Sequence, residues 1–268
     1  LYTVTTLTSQ EPTETRIVGA MVDYVHAPSD PARVLERLAD GATRIVSLTI
    51  TEGGYHIDET TGEFDINAPA IQQDLAGGTP RTVFGFIVQA LARRRDAGLL
   101  PFTVLSCDNL PRNGDTTRTG IVTFARAVDP TLADWINQSG AFPNSMVDRI
   151  APQVPEAERR RITQLIGVDD LVAATCETYT SWVVEDRFCA GRPPLEQAGV
   201  VFSDEVAAYV TVKGRLSNAA HTLMCYPSLL MGSRYVNEGM RRPQIPQFLQ
   251  NFWDLDGKPR VEPPVGYS

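Results

Sequence analysis

The sequence predicts an α/β protein in which a mainly parallel sheet domain is followed by a mostly α-helical domain. Up to about residue 200, short runs of β-branched and apolar residues alternate with helical patterns, which is typical of βαβ units. Beyond that point three helical patterns follow one another without a strand. We therefore expect domains at 1–202 and 203–268. Because both ends of the chain fall within such patterns, we expect the first domain to be incomplete at its N-terminus and the second at its C-terminus.

The first elements follow from their apolar spacing and their turn residues. "RIVGAMVDYV" predicts a strand over 16–25, and "DPARVLERLAD" predicts a helix over 30–40, with Ser29 or Asp30 as its N-cap and Pro31 in its first turn. "RIVSLTI" predicts a buried strand over 44–50, followed by the loop "TEGGY". The turn-rich stretch 55–78 predicts a surface excursion. "PRTVFGFIVQALARRRDAG" then predicts a long amphipathic helix that Gly98 ends.

The same alternation continues through the rest of the first domain. "FTVLSCD" predicts a strand over 102–108, and the loop "NLPRNG" leads into a helix from about Thr116. The patterns further predict helices at 131–140 and 156–167 and extended segments at 144–152 and 180–188. From residue 203 onward, "SDEVAAYVTVKGRLSNAAHTLMCY", "PSLLMGSRYVNEGMRR" and "PQIPQFLQNFWDLDG" predict successive helices.

Composition excludes several classes of partner. The net charge of −8 over 268 residues repels phosphate backbones, so we expect no nucleic-acid partner. No apolar run reaches the length of a membrane span, so we expect no membrane partner. The four cysteines are scattered without a CxxC pair, which favours reduced thiols in a cytoplasmic protein. The three histidines (His26, His56 and His221) lack metal-ligand spacing, so we expect no metal site. The sequence also lacks GxGxxG, GxxxxGK[ST] and GxSxG motifs.

Two loops lie where an α/β sheet places its ligands. "SLTI-TEGGY" and "VLSCD-NLPRNG" both put polar residues just beyond a predicted strand, and ligands bind outside the carboxyl ends of such strands. Glu52, Asp108, Asn109 and Asn113 are therefore candidates by position. The alternative is that these residues only form turns, as Asp, Asn and Gly commonly do.

The stretch "KGRLSNAAH" (213–221) carries three polar side chains that suit proton transfer. On an ideal α-helix Lys213 and His221 lie about 80° apart, Asn218 and His221 about 60° apart, and Lys213 and Asn218 about 140° apart. Taken singly, each residue is explained by a solvated helix surface or a packing contact. The flanking residues are largely apolar, however, which predicts that the helix is mostly buried, and burial lowers the pKa of a lysine toward that of a general base. Asparagine amides are neutral donors suited to a developing alkoxide.

Four motifs together resemble the polyol-specific long-chain dehydrogenases. These are "KGRLSNAAH", "TITEGGY" (49–55), "SCDNLPRNG" (106–114) and "FPNSMVDRIAP" (142–152), which cover the chain in one order. The similarity is strongest to the mannitol 2-dehydrogenases, with fructuronate reductases and arabinitol dehydrogenases as relatives. The resemblance implies a Rossmann-type domain followed by a helical domain, NAD as cofactor with NADP not excluded, no metal, a monomer, and a small polyol or ketose as substrate.

The resemblance also implies the roles of six residues. Lys213 would be the general base, Asn109 and Asn218 would form the oxyanion hole, and His221 would orient the reacting oxygen. Glu52 and Asp148 would line the cofactor cleft. The family's glycine-rich motif and its later Arg and Lys contacts to the polyol have no counterpart in this sequence. Val210 stands where some relatives have a glutamate that gates proton exit, so proton release would take another route or be ungated.

The resemblance leaves alternatives open. D-mannitol and D-fructose are the expected substrate pair, but a hexuronate keto-acid reductase, acting on fructuronate or tagaturonate, or an arabinitol dehydrogenase shares the same motifs. A different class, a carbohydrate-binding or hydrolytic protein, would use the carboxylates of Glu52, Asp108 and Asp148. That class leaves the Lys-Asn-His spacing unexplained.

Overall fold

The computed structural model describes residues 1–8, 11–58 and 61–265, and the chain divides into two compact units. The first unit spans Leu1–Asp204 and the second Glu205–Ser268. The boundary derived from the sequence lies two residues earlier, between 202 and 203. As the sequence predicts, the first unit is a mixed α/β unit and the second consists of helices.

The first unit contains eight strands among the described residues. They are β1 (Tyr2–Thr8), β2 (Glu11–Val18), β3 (Ile45–Leu48), β4 (Thr103–Ser106), β5 (Ser145–Asp148), β6 (Ala174–Glu177), β7 (Ser181–Val184) and β8 (Val201–Phe202). β1 lies between β2, which is antiparallel to it, and β6, which is parallel to it. β3 and β4 pair in parallel with Leu48 opposite Ser106. β7 pairs with β5 in antiparallel and with β8 in parallel orientation.

The described part of the first unit also contains six α-helices. They are α1 (Pro31–Ala39), α2 (Pro69–Leu75), α3 (Val83–Asp96), α4 (Asn113–Val128), α5 (Pro130–Ser139) and α6 (Glu156–Ile166). Their starts follow the capping rules: Asp30 caps α1, Thr82 caps α3 and Asp129 caps α5, each accepting a backbone N–H of the first turn. The main core packs α3, α4 and α5 against β4, with Phe84, Ile121 and Ile136 among its fully buried residues.

Within residues 205–265, the second unit contains four α-helices and two π-helical turns. The helices are α7 (Val206–Val212), α8 (Ala219–Leu230), α9 (Val236–Met240) and α10 (Gln244–Phe252). A π-helical turn, Lys213–Asn218, joins α7 directly to α8, and a second π-helical turn, Trp253–Gly257, extends α10. A small core forms where α8 meets α10, around Met224, Ile245 and Leu249.

Several predicted elements differ from the observed ones. The predicted strand at 16–25 ends at Val18, because residues 19–25 pair with no strand of the described chain and Val22 is exposed. The excursion 55–78, of which residues 59 and 60 lie outside the described residues, contains α2, whose start is marked by Pro69 at the first helical position. β6 was not predicted, because its residues, Ala-Thr-Cys-Glu, do not form an apolar run. The helix expected from Thr116 begins three residues earlier, at Asn113.

Candidate active site

Three candidate residues of the first unit follow the carboxyl ends of neighbouring strands. Glu52 opens a 3₁₀ turn after β3, and Asn109 follows β4. Asp148 ends β5, and the segment that leads into β5 runs parallel to β4 through a bridge between Thr103 and Ala141. Glu52 and Asn109 are exposed, whereas Asp148 is half-buried. All three residues thus lie at the carboxyl end of a strand, which is where α/β sheets bind ligands.

The carboxylate of Asp108 ties the loop after β4 to the loop after β3. Its Oδ2 atom accepts the Ile50 N–H at 2.9 Å and its Oδ1 atom accepts the Thr51 N–H at 3.0 Å. Thr51 has φ of 59° and ψ of 169°, a region that residues other than glycine rarely adopt. Because Thr51 directly precedes Glu52, the Asp108 carboxylate holds a strained turn at the residue next to a candidate site position.

Tyr55 completes this attachment from inside the protein. Its ring is almost fully buried, and its hydroxyl donates to Oδ2 of Asp108 at 2.7 Å and contacts the hydroxyl oxygen of Ser106 at 2.5 Å. Burial raises the pKa of Tyr55 well above its usual range, and the neighbouring Asp108 raises it further. Tyr55 therefore stays protonated and remains a hydrogen-bond donor. We call the group of Asp108, Tyr55 and Ser106 the loop clamp.

Asn113 has a structural role instead of the ligand role that the sequence allowed. It is the first residue of α4 and is 1 % exposed. Its Nδ2 atom donates to the carbonyl oxygens of Ser106, Asp108 and Ser145, and its Oδ1 atom accepts the Ser145 N–H. A side chain so enclosed cannot reach a ligand. Asn113 instead joins the ends of β4 and β5 and fixes the carbonyl group of the residue before Asn109.

The first turn of α4 is capped by a side chain that lies just before β5. Oδ1 of Asn144, just before β5, accepts the N–H groups of Gly114 and Asp115 at 2.9 and 3.2 Å. A Cβ atom on Gly114 would lie 2.5 Å from the carbonyl oxygens of Phe142 and Pro143, so only glycine allows this approach. The motifs "NLPRNG" and "FPNSMVD" are thus in direct contact, and the contact orders the sheet edge.

Lys213 and Asn218 occupy the first and last positions of the π-helical turn of the second unit. Ala219 N–H bonds to the carbonyl oxygen of Gly214, five residues back, instead of four as in an α-helix. In a turn closed by such bonds, residues five apart lie approximately above one another. The divergence of about 140° expected on an ideal α-helix is therefore wrong here, because the helix is locally wider.

The exposure of this stretch also differs from the expectation. Lys213 is half-buried, and Asn218 and His221 are exposed. Among the apolar residues that flank it, from 206 to 224, only Val206, Val212, Ala220 and Met224 are buried. The expected burial over most of the circumference is thus wrong for this unit, and the argument for a lysine base made from burial fails with it.

An apolar groove lies beside His221. It has a volume of about 480 Å³ and is lined by Ala220, Met224, Leu249 and Trp253 among others. His221, an exposed residue of α8, therefore borders an apolar surface. Of the residues that the structure describes, no group of three or more His, Cys, Asp or Glu side chains could hold a metal ion, and no helix is long and apolar enough to cross a membrane.

Comparison with known proteins identifies the family. The model of the mannitol dehydrogenase Rossmann domain matches residues 1–197. The chain belongs to the mannitol dehydrogenase family. A polyol:NADP oxidoreductase of Gluconobacter oxydans (strain 621H) is 45 % identical over an alignment of 269 positions, which covers 100 % of this chain and 56 % of the relative. A mannitol 2-dehydrogenase of Cereibacter sphaeroides is 46 % identical over 249 residues, covering 92 % of this chain and 52 % of the relative.

A solved structure shows the same arrangement of elements. The ternary complex of Pseudomonas fluorescens mannitol 2-dehydrogenase with NAD and D-mannitol matches with a TM-score of 0.91 at 42 % identity, over 100 % of this chain and 55 % of that chain. The predicted family and fold class are therefore confirmed. The chain spans about half the length of the relatives that it matches.

Sequence reasoning missed the groups that hold the candidate residues in place. The loop clamp had a partial signal, since "TEGGY" and "SCDNL" were both recognised as loops at strand ends, but no spacing rule pairs residues 50–58 positions apart. The π-helical turn had no signal, because Lys213–Asn218 is helical in composition apart from Gly214. Trp253 was assigned only to a helix, although its indole contacts this turn.

Proposed function

We propose that this chain is part of an NAD-dependent, metal-independent polyol dehydrogenase that interconverts D-mannitol and D-fructose. The observation that carries the proposal is the π-helical turn with Lys213 at its start and Asn218 at its end, in a chain of the mannitol dehydrogenase family. A lysine amine and an amide brought to the same side of a helix suit the two tasks of alcohol oxidation, which are proton removal and stabilisation of the charged oxygen.

The residues of the sheet edge fit a nicotinamide cofactor. Glu52 and Asp148 present carboxylates beyond the carboxyl ends of β3 and β5, and carboxylates accept hydrogen bonds from hydroxyl and carboxamide groups. When bound, NAD supplies the acceptor for the hydride that leaves the substrate carbon. We propose Glu52 and Asp148 as cofactor contacts. The name of the Gluconobacter relative includes NADP, so the experiment below measures the preference between NAD and NADP.

The remaining roles concern protons and charge. We propose that Lys213, in its unprotonated form, takes the proton of the substrate hydroxyl as the hydride leaves the same carbon. Asn109 and Asn218 are proposed to donate amide N–H groups to the oxygen while negative charge develops on it, and such donors strengthen as the charge grows. His221 is proposed to orient that oxygen. In the reverse direction the Lys213 ammonium returns the proton to the carbonyl oxygen.

The decisive variant is Lys213→Ala, assayed in the natural protein that contains this chain. We expect polyol oxidation, followed by NADH absorbance, to fall by roughly 10²–10⁴-fold, the usual contribution of a general base. The dissociation constant for NADH is expected to be unchanged. The matched control is Arg126→Ala, whose exposed ion pair with Asp134 joins α4 to α5 away from the candidate residues, and which should keep full activity. Activity close to that of the natural protein in Lys213→Ala would remove the base assignment.

Substrate choice is tested with a panel of polyols and keto-acids and with both cofactors. D-mannitol with NAD is expected to give the highest kcat/KM. A higher value for fructuronate or tagaturonate would replace the proposal with a keto-acid reductase, and a higher value for D-arabinitol with an arabinitol dehydrogenase. Hydrolysis of a sugar without any nicotinamide requirement would favour the carboxylate-based class. The loop clamp argues against that class, because the Asp108 carboxylate already accepts three hydrogen bonds.

A further inference from the structure

The π-helical turn Lys213–Asn218 needs a cause, because such turns are rare within helices and occur mostly at functional sites. Gly214, inside the turn, weakens the helix but does not select a wider turn over an α-helical one. Helix deformations commonly arise where a side chain from outside enters the hydrogen-bond ladder. The structure contains such a side chain.

Trp253 reaches the middle of this turn from the end of α10. Its indole Nε1–H donates to the carbonyl oxygen of Leu216 at 3.1 Å. Both residues are half-buried. A backbone carbonyl inside a regular α-helix accepts from a residue of the same helix, so a donor from another helix stabilises a backbone arrangement that departs from the regular ladder.

Two further contacts join the same segments. Trp253–Gly257 is itself a π-helical turn, in which the Lys258 N–H bonds to the Trp253 carbonyl oxygen. Its last residue, Gly257, is buried, and a Cβ atom there would lie 2.9 Å from Cδ2 of Leu216. In addition, the Arg215 guanidinium donates to the carbonyl oxygen of Arg260. The turn that carries Lys213 and Asn218 is therefore held from the 253–260 segment at Arg215 and at Leu216.

We propose that Trp253 and Gly257 are positioning residues that hold the Lys213–Asn218 turn in its π-helical form and thereby keep the Lys213 amine aligned with the Asn218 amide. The inference rests on the proposed function, since it assigns a role in the same reaction. If the turn relaxed to a regular α-helix, the two side chains would diverge by about 140°. A base and an oxygen-binding amide so separated cannot serve one hydroxyl group.

The test is Trp253→Phe, which removes the N–H donor and keeps an aromatic ring. Loss of one hydrogen bond corresponds to about a tenfold change in an equilibrium. We therefore expect the backbone amide hydrogens of residues 217–219 to exchange about tenfold faster. In the natural protein we expect kcat for polyol oxidation to fall about tenfold, and the pH profile of kcat to shift, with the NADH dissociation constant unchanged.

Gly257→Ala provides a second variant that keeps the indole. The added methyl group must displace the flexible end of the Leu216 side chain. We therefore expect the exchange rates at 217–219 and kcat to change in the same direction as in Trp253→Phe, by about half as much or less on a logarithmic scale. Trp135→Phe, in α5 of the first unit, is the matched control and should alter neither exchange at 217–219 nor kcat. Should Trp253→Phe fail to fold, Gly257→Ala carries the test.

The outcomes separate this inference from the proposed function. If Lys213→Ala abolishes turnover while Trp253→Phe and Gly257→Ala keep natural exchange rates and natural kcat, the positioning role is overturned and the proposed function stands. If Lys213→Ala retains turnover, the base assignment within the proposed function is overturned, and the positioning role falls with it. A fall in kcat for Trp253→Phe without faster exchange at 217–219 would also overturn the positioning role, since the effect would then not act through the turn.

Discussion

The two units hold their candidate site residues by opposite means. In the first unit, exposed Asn109 and Glu52 are neighbours of polar groups inside the protein, where Asp108, Tyr55 and Asn113 form a closed set of hydrogen bonds. In the second unit, Lys213 and Asn218 are placed by the form of a single helical turn, and Leu216 and Arg215 connect that turn to the 253–260 segment. Position is thus secured by buried side chains in one region and by backbone geometry in the other.

This difference separates stability from activity. Removing the partner of a buried polar group lowers the free energy of unfolding, because the remaining donor or acceptor then bonds neither to water nor to a protein group. The free energy of unfolding does not depend in this way on an exposed side chain of a helical turn. Substitutions around the same proposed reaction are therefore expected to affect the two units differently, and the comparison can be tested directly.

The largest expected effect is that of Asp108→Ala. It leaves the N–H groups of Ile50 and Thr51 and the Tyr55 hydroxyl without their acceptor, and the strained Thr51 turn without its support. We expect the free energy of unfolding to fall by about 3 kcal/mol. In thermal unfolding this corresponds to a decrease in Tm of roughly 6–12 °C. Polyol oxidation should fall as well, because Glu52 and Asn109 lie on the released loops.

Asn218→Ala is the counterpart in the second unit. Asn218 is exposed, so the free energy of unfolding should change by less than about 0.5 kcal/mol, while kcat should fall by roughly 10²-fold if the amide stabilises charge on the substrate oxygen. A loss of stability in Asn218→Ala comparable to that in Asp108→Ala would contradict the proposed contrast between the units.

A smaller effect is expected from Tyr55→Phe, and it depends on pH. The hydroxyl contributes about 1–2 kcal/mol through its bonds to Asp108 and Ser106. Burial raises the pKa of Tyr55 in the folded protein above the value of about 10 in the unfolded chain, so its contribution is complete below pH 10. As the pH rises beyond about 10 the unfolded chain ionises first, and the contribution declines.

Urea unfolding at pH 7 and at several values above about 9.5 measures this difference. The stability gap between the natural chain and Tyr55→Phe should be constant up to about pH 9.5 and then narrow. Tyr24→Phe removes an exposed hydroxyl and should leave stability at neutral pH unchanged. A gap that widens at high pH would show that Tyr55 ionises readily in the folded protein, contrary to its burial.

Local elements and the positions of the site loops could be predicted from the sequence, because they depend on short-range rules. Helix caps such as Asp30 and apolar runs such as 44–50 and 102–108 fix where helices and strands occur, and the carboxyl ends of β3 and β4 follow from them. Asn113 shows the limit of this reasoning. Its residue type and loop context are those of a ligand, and only its burial between β4 and β5 assigns it a structural role.

The π-helical turn shows a second limit. Helical periodicity assumes one angle per residue, so it predicted diverging side chains at Lys213 and Asn218. Trp253 and Gly257, about 40 positions later in the chain, lie against this turn, and no local sequence pattern contains that approach. Tertiary contacts of this kind decide the geometry of the candidate site in both units, whereas the local sequence decides only which residue types are present.

The smallest expected effect lies away from both regions and shows what an exposed charge contributes to the first unit. Asp129 caps α5, where its Oδ1 atom accepts the N–H groups of Thr131 and Leu132, and its Oδ2 atom accepts from Arg95 at 3.0 Å. The Thr131 hydroxyl, together with Arg95, lowers the pKa of Asp129 to about 2. The unfolded value is about 3.9, so the charged form stabilises the fold above about pH 4, and this contribution is lost as the pH falls toward 2.

Asp129→Asn keeps a capping oxygen but removes the charge. We expect its Tm to be slightly below that of the natural chain at pH 7, with the gap narrowing as the pH falls below about 4; a gap of the same size at pH 7 and at pH 2.5 would show that the cap, and not the charge, carries the effect.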